Sequence, residues 1–373
     1  MSEQVLYRKY RPKEFDEIVG QEHVVTAIRN SLSMGRIAHA YLFSGPRGVG
    51  KTTMARLIAK ALNCLDKKNR PCNACRMCSD FNESRAMDLI EIDAASNRGI
   101  DEMRELREGV RFVPTQGQYK PYIIDEVHML TKEAFNALLK TLEEPPRHAV
   151  FVLATTEIEK VPATIISRTQ HYNFHRPQIA QIAARLQVIA QKEGVALSAD
   201  AGHLIALAAE GSLRDGESIL GQIMAVEDKK ITREEVEHIL GLPKREAVKR
   251  MFAAIAQKNA SAAIALVQEL ADGGHDLNYA AKLLMRYFRS ALLLKTDPAL
   301  TVFVDNEFLP DERECITTHL GAFSHVSLAR GATTIFDNMQ RFKKTPIPQL
   351  GLEVTVIGLI ADDGSDDNKT KII

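Results

Sequence analysis

The sequence lacks both an excess of charge and a long apolar run. Its 48 Lys and Arg residues equal its 48 Asp and Glu residues, so composition gives no sign of a nucleic-acid partner. Any DNA contact must therefore come from locally clustered charge. No stretch approaches the roughly 18–20 apolar residues of a membrane span, and the first residues lack a signal-peptide core. We expect a cytoplasmic protein without a membrane partner, and 373 residues suffice for about two or three domains.

Cysteine is scarce and unevenly placed. Four of the five cysteines fall within one short segment, and these are Cys64, Cys72, Cys75 and Cys78. In a reducing compartment this clustering favours a metal site over disulfides. Four thiolates suffice for a closed tetrahedral Zn²⁺ site, which would be structural because no position is left open. An iron–sulfur site and unliganded thiols are the alternatives, although the C-x3-C-P continuation of a ferredoxin segment is missing.

One octapeptide has the spacing of a phosphate-binding loop. It is Gly45-Pro46-Arg47-Gly48-Val49-Gly50-Lys51-Thr52. An apolar run at 40–43 precedes it, and an amphipathic segment that begins at Thr53 follows it, with apolar residues at 54, 57, 58, 61 and 62. This strand–loop–helix context predicts a nucleotide site made by residues 45–53. Lys51 would reach the β- and γ-phosphates, and the Thr52 hydroxyl would ligate Mg²⁺.

A second apolar run ends in two carboxylates. Residues 122–124 lead into Asp125 and Glu126, which is the pattern of a Walker B strand. Asp125 would hold Mg²⁺ through water, and Glu126 would polarise the attacking water. Hydrolysis needs both functions, so the two motifs together predict cleavage of the nucleotide as well as binding.

Hydroxyls and arginines elsewhere in the sequence are further candidates for this site. Thr155 and Thr156 end another predicted strand, and ligands of open α/β sheets bind beyond the carboxyl ends of strands. Either hydroxyl could sense the γ-phosphate. Arg168 and Arg214 are candidates for the fixed positive charge of an arginine finger, one within the chain and one across a subunit boundary. Taken alone, each arginine fits a surface ion pair better than a finger, and such a pair contributes little.

The pattern of apolar residues changes near residue 177. Before it, β-rich runs at 40–44, 88–93, 120–125, 150–155 and 170–174 alternate with helical patterns, which predicts a parallel α/β sheet. After it, helices are predicted at 178–194, 198–210, 213–226 and 232–241, the last with a Thr232–Glu235 capping box. The prediction continues with a hinge at 241–243 and a helical block that runs to 361. It ends with a disordered polar tail at 362–373.

The order of these motifs resembles that of the AAA+ clamp-loader ATPases. The resemblance extends to residues 10–22, with Tyr-Arg-Pro at the start and Ile-Val-Gly-Gln-Glu at the end, and to residues 135–146, which end in Glu-Glu-Pro-Pro. The four-cysteine insertion directly after the phosphate-loop helix makes the resemblance more specific: within the clamp-loader ATPases, it is typical of the tau/gamma subunits of bacterial DNA polymerase III. The match is strong over residues 1–242 and only a helical pattern of suitable length over 243–361.

This resemblance implies a three-part architecture. Residues 1–177 would form a P-loop AAA+ domain with a five-stranded parallel sheet and a small zinc module at 64–78. Residues 178–242 would form a helical lid, and residues 243–361 an all-α collar that oligomerises the subunits. The chain stops near where tau's longer extension would start, so it would be a short form or a truncation.

The resemblance also implies roles for single residues. ATP would be the nucleotide, with its adenine near Tyr7, Arg11 and Val19. Thr155 and Arg214 would be the first and second sensors of the γ-phosphate. Arg168 would reach into a neighbour's ATP site. The family's usual Ser-Arg-Cys is Ser-Arg-Thr at 167–169 here, which puts in doubt only a role specific to the thiol.

The function implied is that of an ATPase that loads a sliding clamp onto primer–template DNA within a pentameric hetero-oligomer of clamp-loader subunits. By resemblance the DNA contacts would include Asn97, Arg98, Lys140 and Thr141. The polymerase reaction is not assigned to this chain, because no separate pair of catalytic carboxylates appears. The alternatives are a helicase loader or branch-migration motor, and a nucleotide-regulated scaffold, against which the intact carboxylate pair argues.

Overall fold

The computed structural model describes residues 5–226, 229–241, 245–301, 304, 307–342, 347 and 349–361. These residues form two compact units, one of the described residues up to Glu193 with Ile205–Gln222, the other of Gly194–Leu204 with the described residues from Ile223 onward. Most of the predicted hinge and all of the predicted tail lie outside the described residues. The domain boundaries at 177 and 242 therefore stay predictions.

The first unit is built on one five-stranded sheet. Its strands are β1 (Ala40–Ser44), β2 (Ile90–Asp93), β3 (Lys120–Asp125), β4 (Ala149–Thr155) and β5 (Gln170–Asn173). Their order is β2-β3-β4-β1-β5, and each pairing is parallel. All five carboxyl ends therefore meet at one edge, where an open α/β sheet binds its ligand. The predicted α/β fold class is confirmed, and each strand lies within two residues of its predicted ends.

Helices pack on both faces of this sheet. The helices of the chain up to residue 224 are α1 (Leu6–Lys9), α2 (Glu22–Ser33), α3 (Lys51–Asn63), α4 (Arg76–Asn82), α5 (Ile100–Gly109), α6 (Lys132–Glu143), α7 (Ala163–Ile166), α8 (Ile179–Lys192), α9 (Ala199–Ala208) and α10 (Leu213–Met224). Phe43 and its alternate neighbours pack with α2 and α3, whereas Leu42 and its alternate neighbours pack with α5 and α6. The central strands are buried on both faces and are mostly apolar, as a parallel sheet requires.

The second unit is mostly helical. Its helices from residue 233 are α11 (Arg233–Ile239), α12 (Arg245–Ala256), α13 (Ala260–Asp272), α14 (Leu277–Thr296), α15 (Pro310–His319), α16 (His325–Phe342) and α17 (Leu350–Ala361). The predicted capping box of α11 is present, since Thr232 and Glu235 exchange side-chain and backbone hydrogen bonds. Two short strands, β6 (Ala196–Leu197) and β7 (Lys230–Ile231), also pair in parallel. No strand was predicted here, because two residues are too few to show a period-two pattern.

The core of the second unit centres on α14. One face of this helix is apolar and buried, with Leu284 and Tyr287 at 0% exposure. The aromatic rings of Phe252 and Phe308 pack against Tyr287 at centroid distances of 5.3 and 4.7 Å. Within the described residues, no helix is both long enough and apolar enough to cross a membrane.

Candidate functional site

A cavity of about 510 Å³ opens at the carboxyl edge of the sheet in the first unit. This volume suits a ligand of nucleotide size, since small-molecule sites occupy about 300–1,000 Å³. The predicted residues among its lining are Tyr7, Arg11, Val19, Arg47, Gly48, Val49, Gly50, Lys51, Thr52, Thr53, Asp125, Glu126 and Arg214. The structure thus brings together residues that are scattered over more than half of the sequence.

The glycine-rich loop connects β1 to α3, and two of its glycines are sterically required. Gly45 has φ +139°, and a Cβ there would lie 2.3 Å from the Phe174 carbonyl oxygen. Gly48 has φ +76°, and its Cβ would lie 1.9 Å from Ser212 Oγ. A side chain at either position would push the loop off its path. The path matters because backbone N–H groups of such a loop, together with the following helix N-terminus, bind phosphate.

Lys51 is the first residue of α3 and is 6% exposed. Its Nζ donates hydrogen bonds of 2.7 Å to the carbonyl oxygens of Gly45 and Pro46. Burial lowers the pKa of Lys51, while the nearby carboxylates of Glu126 and Asp125 act in the opposite direction. The lysine side chain therefore bonds back to the start of the loop, which stabilises the loop conformation, and it brings positive charge to the cavity wall.

Two predicted Mg²⁺ ligands are in direct contact. Thr52 Oγ1, at the start of α3, donates a 2.7 Å hydrogen bond to Asp125 Oδ2, at the end of β3. Mg²⁺ prefers oxygen ligands of this kind, and it keeps several of its own waters. The hydroxyl and the carboxylate therefore fit a divalent cation bound beside the phosphate loop.

Glu126 follows Asp125 in a left-handed backbone conformation, with φ +47°. Its Oε2 accepts hydrogen bonds from Thr156 N at 3.1 Å and Thr156 Oγ1 at 2.8 Å. The predicted sensor Thr155 is 0% exposed, and its Oγ1 lies 3.0 Å from His128 Nδ1. Thr155 is not part of the cavity lining, so its sensor role stays a prediction, and the hydroxyl that contacts the predicted base belongs to Thr156.

The two predicted arginines lie in different places. Arg214, near the start of α10, lines the cavity with its guanidinium carbon 4.7 Å from the Tyr7 ring centroid. Arg168 does not line the cavity: it donates hydrogen bonds to Glu143 Oε1 at 2.7 Å and to the Thr164 carbonyl at 2.8 Å. Its predicted action on a neighbouring subunit therefore stays a prediction.

One buried ion pair in the cavity wall was missed by the sequence analysis. Arg185 Nε lies 3.4 Å from Glu217 Oε1, and Arg185 also donates to the Tyr10 carbonyl. Burial raises the pKa of Glu217 to about 7, although Arg185 opposes this shift. The two residues lie on α8 and α10, and an ionisable residue on a helix ordinarily indicates a solvated face. Nothing in the sequence pattern therefore marks them.

The four clustered cysteines converge as predicted. Their Sγ atoms all lie within 4.8 Å of one another. In a tetrahedral site with Zn–S bonds of about 2.3 Å the sulfurs are about 3.8 Å apart, so little movement is needed to bind Zn²⁺. Backbone N–H donors from Ala74 and Cys75 lower the pKa of Cys72 to about 6. The donor set therefore fits a closed four-thiolate metal site.

This cysteine module has little apolar core of its own. Its buried cluster contains only Ala59, Met77 and Phe81, with a few half-buried neighbours. A module this small usually needs another source of folding free energy, and a structural metal supplies it directly.

Three protein-family models match the chain in sequence order. The model for "DNA polymerase III, delta subunit" matches residues 20–178. The model for "DNA polymerase III clamp loader subunit, ATPase lid domain" matches residues 181–228. The model for "DNA polymerase III subunits gamma and tau domain III" matches residues 231–370.

Whole proteins match over long stretches. The chain is 39% identical to DNA polymerase III subunit tau of Bacillus subtilis, over 96% of the chain and 63% of that protein. It is 38% identical to DNA polymerase III subunit gamma of Buchnera aphidicola, over 82% of the chain and 85% of that protein. The chain therefore spans less than two thirds of the tau relative and most of the gamma relative.

Likeness to solved structures is weaker. Thermotoga maritima RuvB, described as a Holliday junction branch migration motor, superposes with a TM-score of 0.47 at 18% identity, covering 66% of this chain and 78% of that one. A likeness of this size carries no argument about function, so it lends no support to the branch-migration alternative.

We predict that Glu217 makes stability depend on pH. Because its pKa of about 7 in the fold exceeds the unfolded value, the folded chain binds more protons between those two values. The parent's free energy of unfolding should then fall as pH rises from 5 to 7, and Glu217→Gln should lack this loss. Relative to the variant, the parent's free energy of unfolding, measured by urea denaturation, should fall by about 2–3 kcal/mol between pH 5 and pH 8.

The matched control is Glu108→Gln, on an exposed position of α5. It should show no pH-dependent difference from the parent. A parent–Glu217→Gln difference that stays constant from pH 5 to pH 8 would contradict the raised pKa.

Proposed function

Because the chain belongs to the tau/gamma family of DNA polymerase III subunits, we propose that it is an ATPase motor subunit of a clamp loader. It uses ATP binding and hydrolysis to place a ring-shaped sliding clamp on primed DNA during replication, in the cytoplasm. The observation that carries this proposal is one cavity in which the glycine-rich loop, the Thr52–Asp125 contact and Glu126 meet. In this role the chain hydrolyses ATP, and other subunits carry out DNA polymerisation.

The cavity offers each part of ATP a chemically suitable partner. The loop of residues 45–52 presents backbone N–H groups and the Lys51 ammonium to the phosphates. Tyr7, Arg11 and Val19, in the amino-terminal segment, line the same cavity and suit the base. When bound, Mg²⁺ would neutralise phosphate charge, with Thr52 and Asp125 as its protein ligands.

Hydrolysis also needs a group that orients the attacking water. Glu126 is the carboxylate next to the metal ligand, and it lines the cavity. Its hydrogen bonds to Thr156 hold the side chain in a fixed direction. A base held in place by a neighbour loses less entropy on reaching the productive geometry.

The remaining positive charge would come from two arginines with different routes. Arg214 lines the cavity and can act within the chain. Arg168 is half-exposed and lies away from the cavity, as an arginine that serves the site of another subunit must. Hydrolysis would then depend on assembly with companion subunits in a pentamer. ATP would select one arrangement of the subunits, and its cleavage would remove that preference.

DNA contact belongs to the same proposal. Arg98 and Lys140 are exposed and could meet backbone phosphates, whereas Thr141 is 6% exposed and less suited to do so. The competing interpretation as a nucleotide-regulated scaffold is disfavoured by the Thr52–Asp125 contact and the adjacent base. A helicase loader or branch-migration motor would translocate or unwind DNA without a clamp.

The test is ATP turnover, measured for the chain alone and then with companion subunits, clamp and primed DNA. We expect strong stimulation only with all components. Glu126→Gln should abolish turnover under both conditions. Arg168→Ala should keep ATP binding yet lose the stimulated turnover by about 10³-fold or more, because an arginine finger supplies transition-state charge.

Arg147→Ala, at another exposed position of the first unit, is the matched control and should keep parental turnover. If Arg168→Ala and the parent turn over equally in the assembly, the role in trans is wrong. Stimulation by DNA without a clamp, accompanied by unwinding, would favour the motor alternative.

We also propose that the cysteine module binds one structural Zn²⁺. Metal analysis of purified chain should find one zinc per chain, and Cys75→Ser should lose it because three thiolates leave the site open. Cys315→Ser, outside the cluster, should keep the metal. Absence of stoichiometric zinc from the parent would contradict the proposal, and iron with sulfide would indicate the cluster alternative.

A further inference from the structure

The first unit contains a second cavity, of about 410 Å³, beside the nucleotide-site candidate. Its walls come from the amino-terminal segment (residues 8–13), from α3, and from the end of α4 with residues 84 and 89 beyond it. Among the described residues that line it every charged side chain is cationic, and these are Arg8, Arg11, Lys13, Arg56 and Lys60. We call it the basic cavity.

In two of these guanidinium groups, the positive charge or a hydrogen-bond donor is not fully balanced by a neighbouring acceptor or carboxylate. Arg56 is paired with Glu91, but its Nε is buried and has no hydrogen-bond partner. For Arg11, burial and then the positive charge of Arg56 lower the pKa, and Glu91 acts in the opposite direction. Burying a charge or an unpaired donor costs free energy, which an acceptor placed between the two groups would recover.

Lys60 has a different part in the cavity. It is 3% exposed, and its Nζ donates to the Lys13 carbonyl at 2.6 Å, to Asn73 Oδ1 at 2.6 Å and to Asn82 Oδ1 at 2.8 Å. These three bonds use all of its donors, so it contributes charge rather than direct ligand contacts. They also join α3 to the cysteine module and to the amino-terminal segment, which fixes the walls in advance of binding.

We propose that the basic cavity binds a small phosphate-bearing anion, of the class of pyrophosphate or the phosphates of a nucleotide, between Arg11 and Arg56. A planar guanidinium can donate two parallel hydrogen bonds to phosphate oxygens. A concave site of this volume suits a small anion, whereas an extended nucleic-acid backbone is ordinarily bound along an open charged groove.

This site would be coupled to the nucleotide site. Arg11 and Pro12 line both cavities. An anion that draws Arg11 toward the basic cavity changes what that side chain can offer to ATP, and the coupling must be equal in both directions. The coupling rests on the proposed function, whereas the anion site itself does not.

The test is calorimetric titration with pyrophosphate at fixed salt, in the 373-residue chain carrying Lys51→Ala to weaken the phosphate loop. We expect saturable binding that Arg56→Gln, added to this background, weakens at least about tenfold. Arg104→Gln, an exposed arginine on α5, is the matched control and should bind as the background does. Parallel titrations with inorganic phosphate and ADP identify the source, since tighter binding of ADP would indicate a nucleotide.

Lys13→Gln provides a second variant at an exposed position, where loss of folding is not expected. It should weaken pyrophosphate binding several-fold while the circular dichroism spectrum stays that of the parent. Equal binding by the Arg56→Gln and Arg104→Gln chains, or no binding by the Lys51→Ala chain, would overturn the proposal. So would binding of single-stranded DNA but not pyrophosphate. Failure of the parent to bind ATP would contradict the proposed function, but it would not affect the comparison of pyrophosphate binding among these variants.

Discussion

The parallel direction of the five strands is the constraint on which the site depends. Because all strands run the same way, the glycine-rich loop after β1 and the carboxylates after β3 emerge at one edge, although β4 lies between those strands. The 2.7 Å contact of Thr52 with Asp125 spans 73 residues of sequence and exists only through this arrangement. Any change that disturbs the strand order would separate the phosphate loop from the metal ligand and the base.

A second constraint acts around this edge. A side chain at Gly48 would collide with Ser212, so the loop packs closely against the residue that precedes α10, the helix that carries Arg214. On another side, Lys60 fastens α3 to the cysteine module and the amino-terminal segment. Helix α3, which follows the glycine-rich loop, is therefore held in place by the amino-terminal segment, the cysteine module and the sheet. A nucleotide at the loop and a metal ion in the module would both stabilise the part of the fold around α3, because each favours the folded state over the unfolded one.

The sequence was informative wherever a function needs a fixed spacing. The glycine loop, the Asp125–Glu126 pair and the four cysteines were predicted because their chemistry requires neighbours in sequence, and long buried strands were predicted because they are continuously apolar. Arg185, Glu217 and the cationic wall around Arg56 were missed because they meet only through tertiary packing. Adjacent hydroxyls were also beyond sequence reasoning: Thr155 and Thr156 point to different partners, and only geometry separates them.

The central claim is that the glycine-rich loop binds ATP, and calorimetric titration of the folded parent chain with Mg²⁺-ATP tests it most directly. We expect saturable binding with one site per chain and strong loss when Lys51 is replaced by Ala, because the loop then lacks its phosphate-facing cation. No heat of binding from well-folded chain, or equal affinity in the Lys51→Ala variant, would contradict the account.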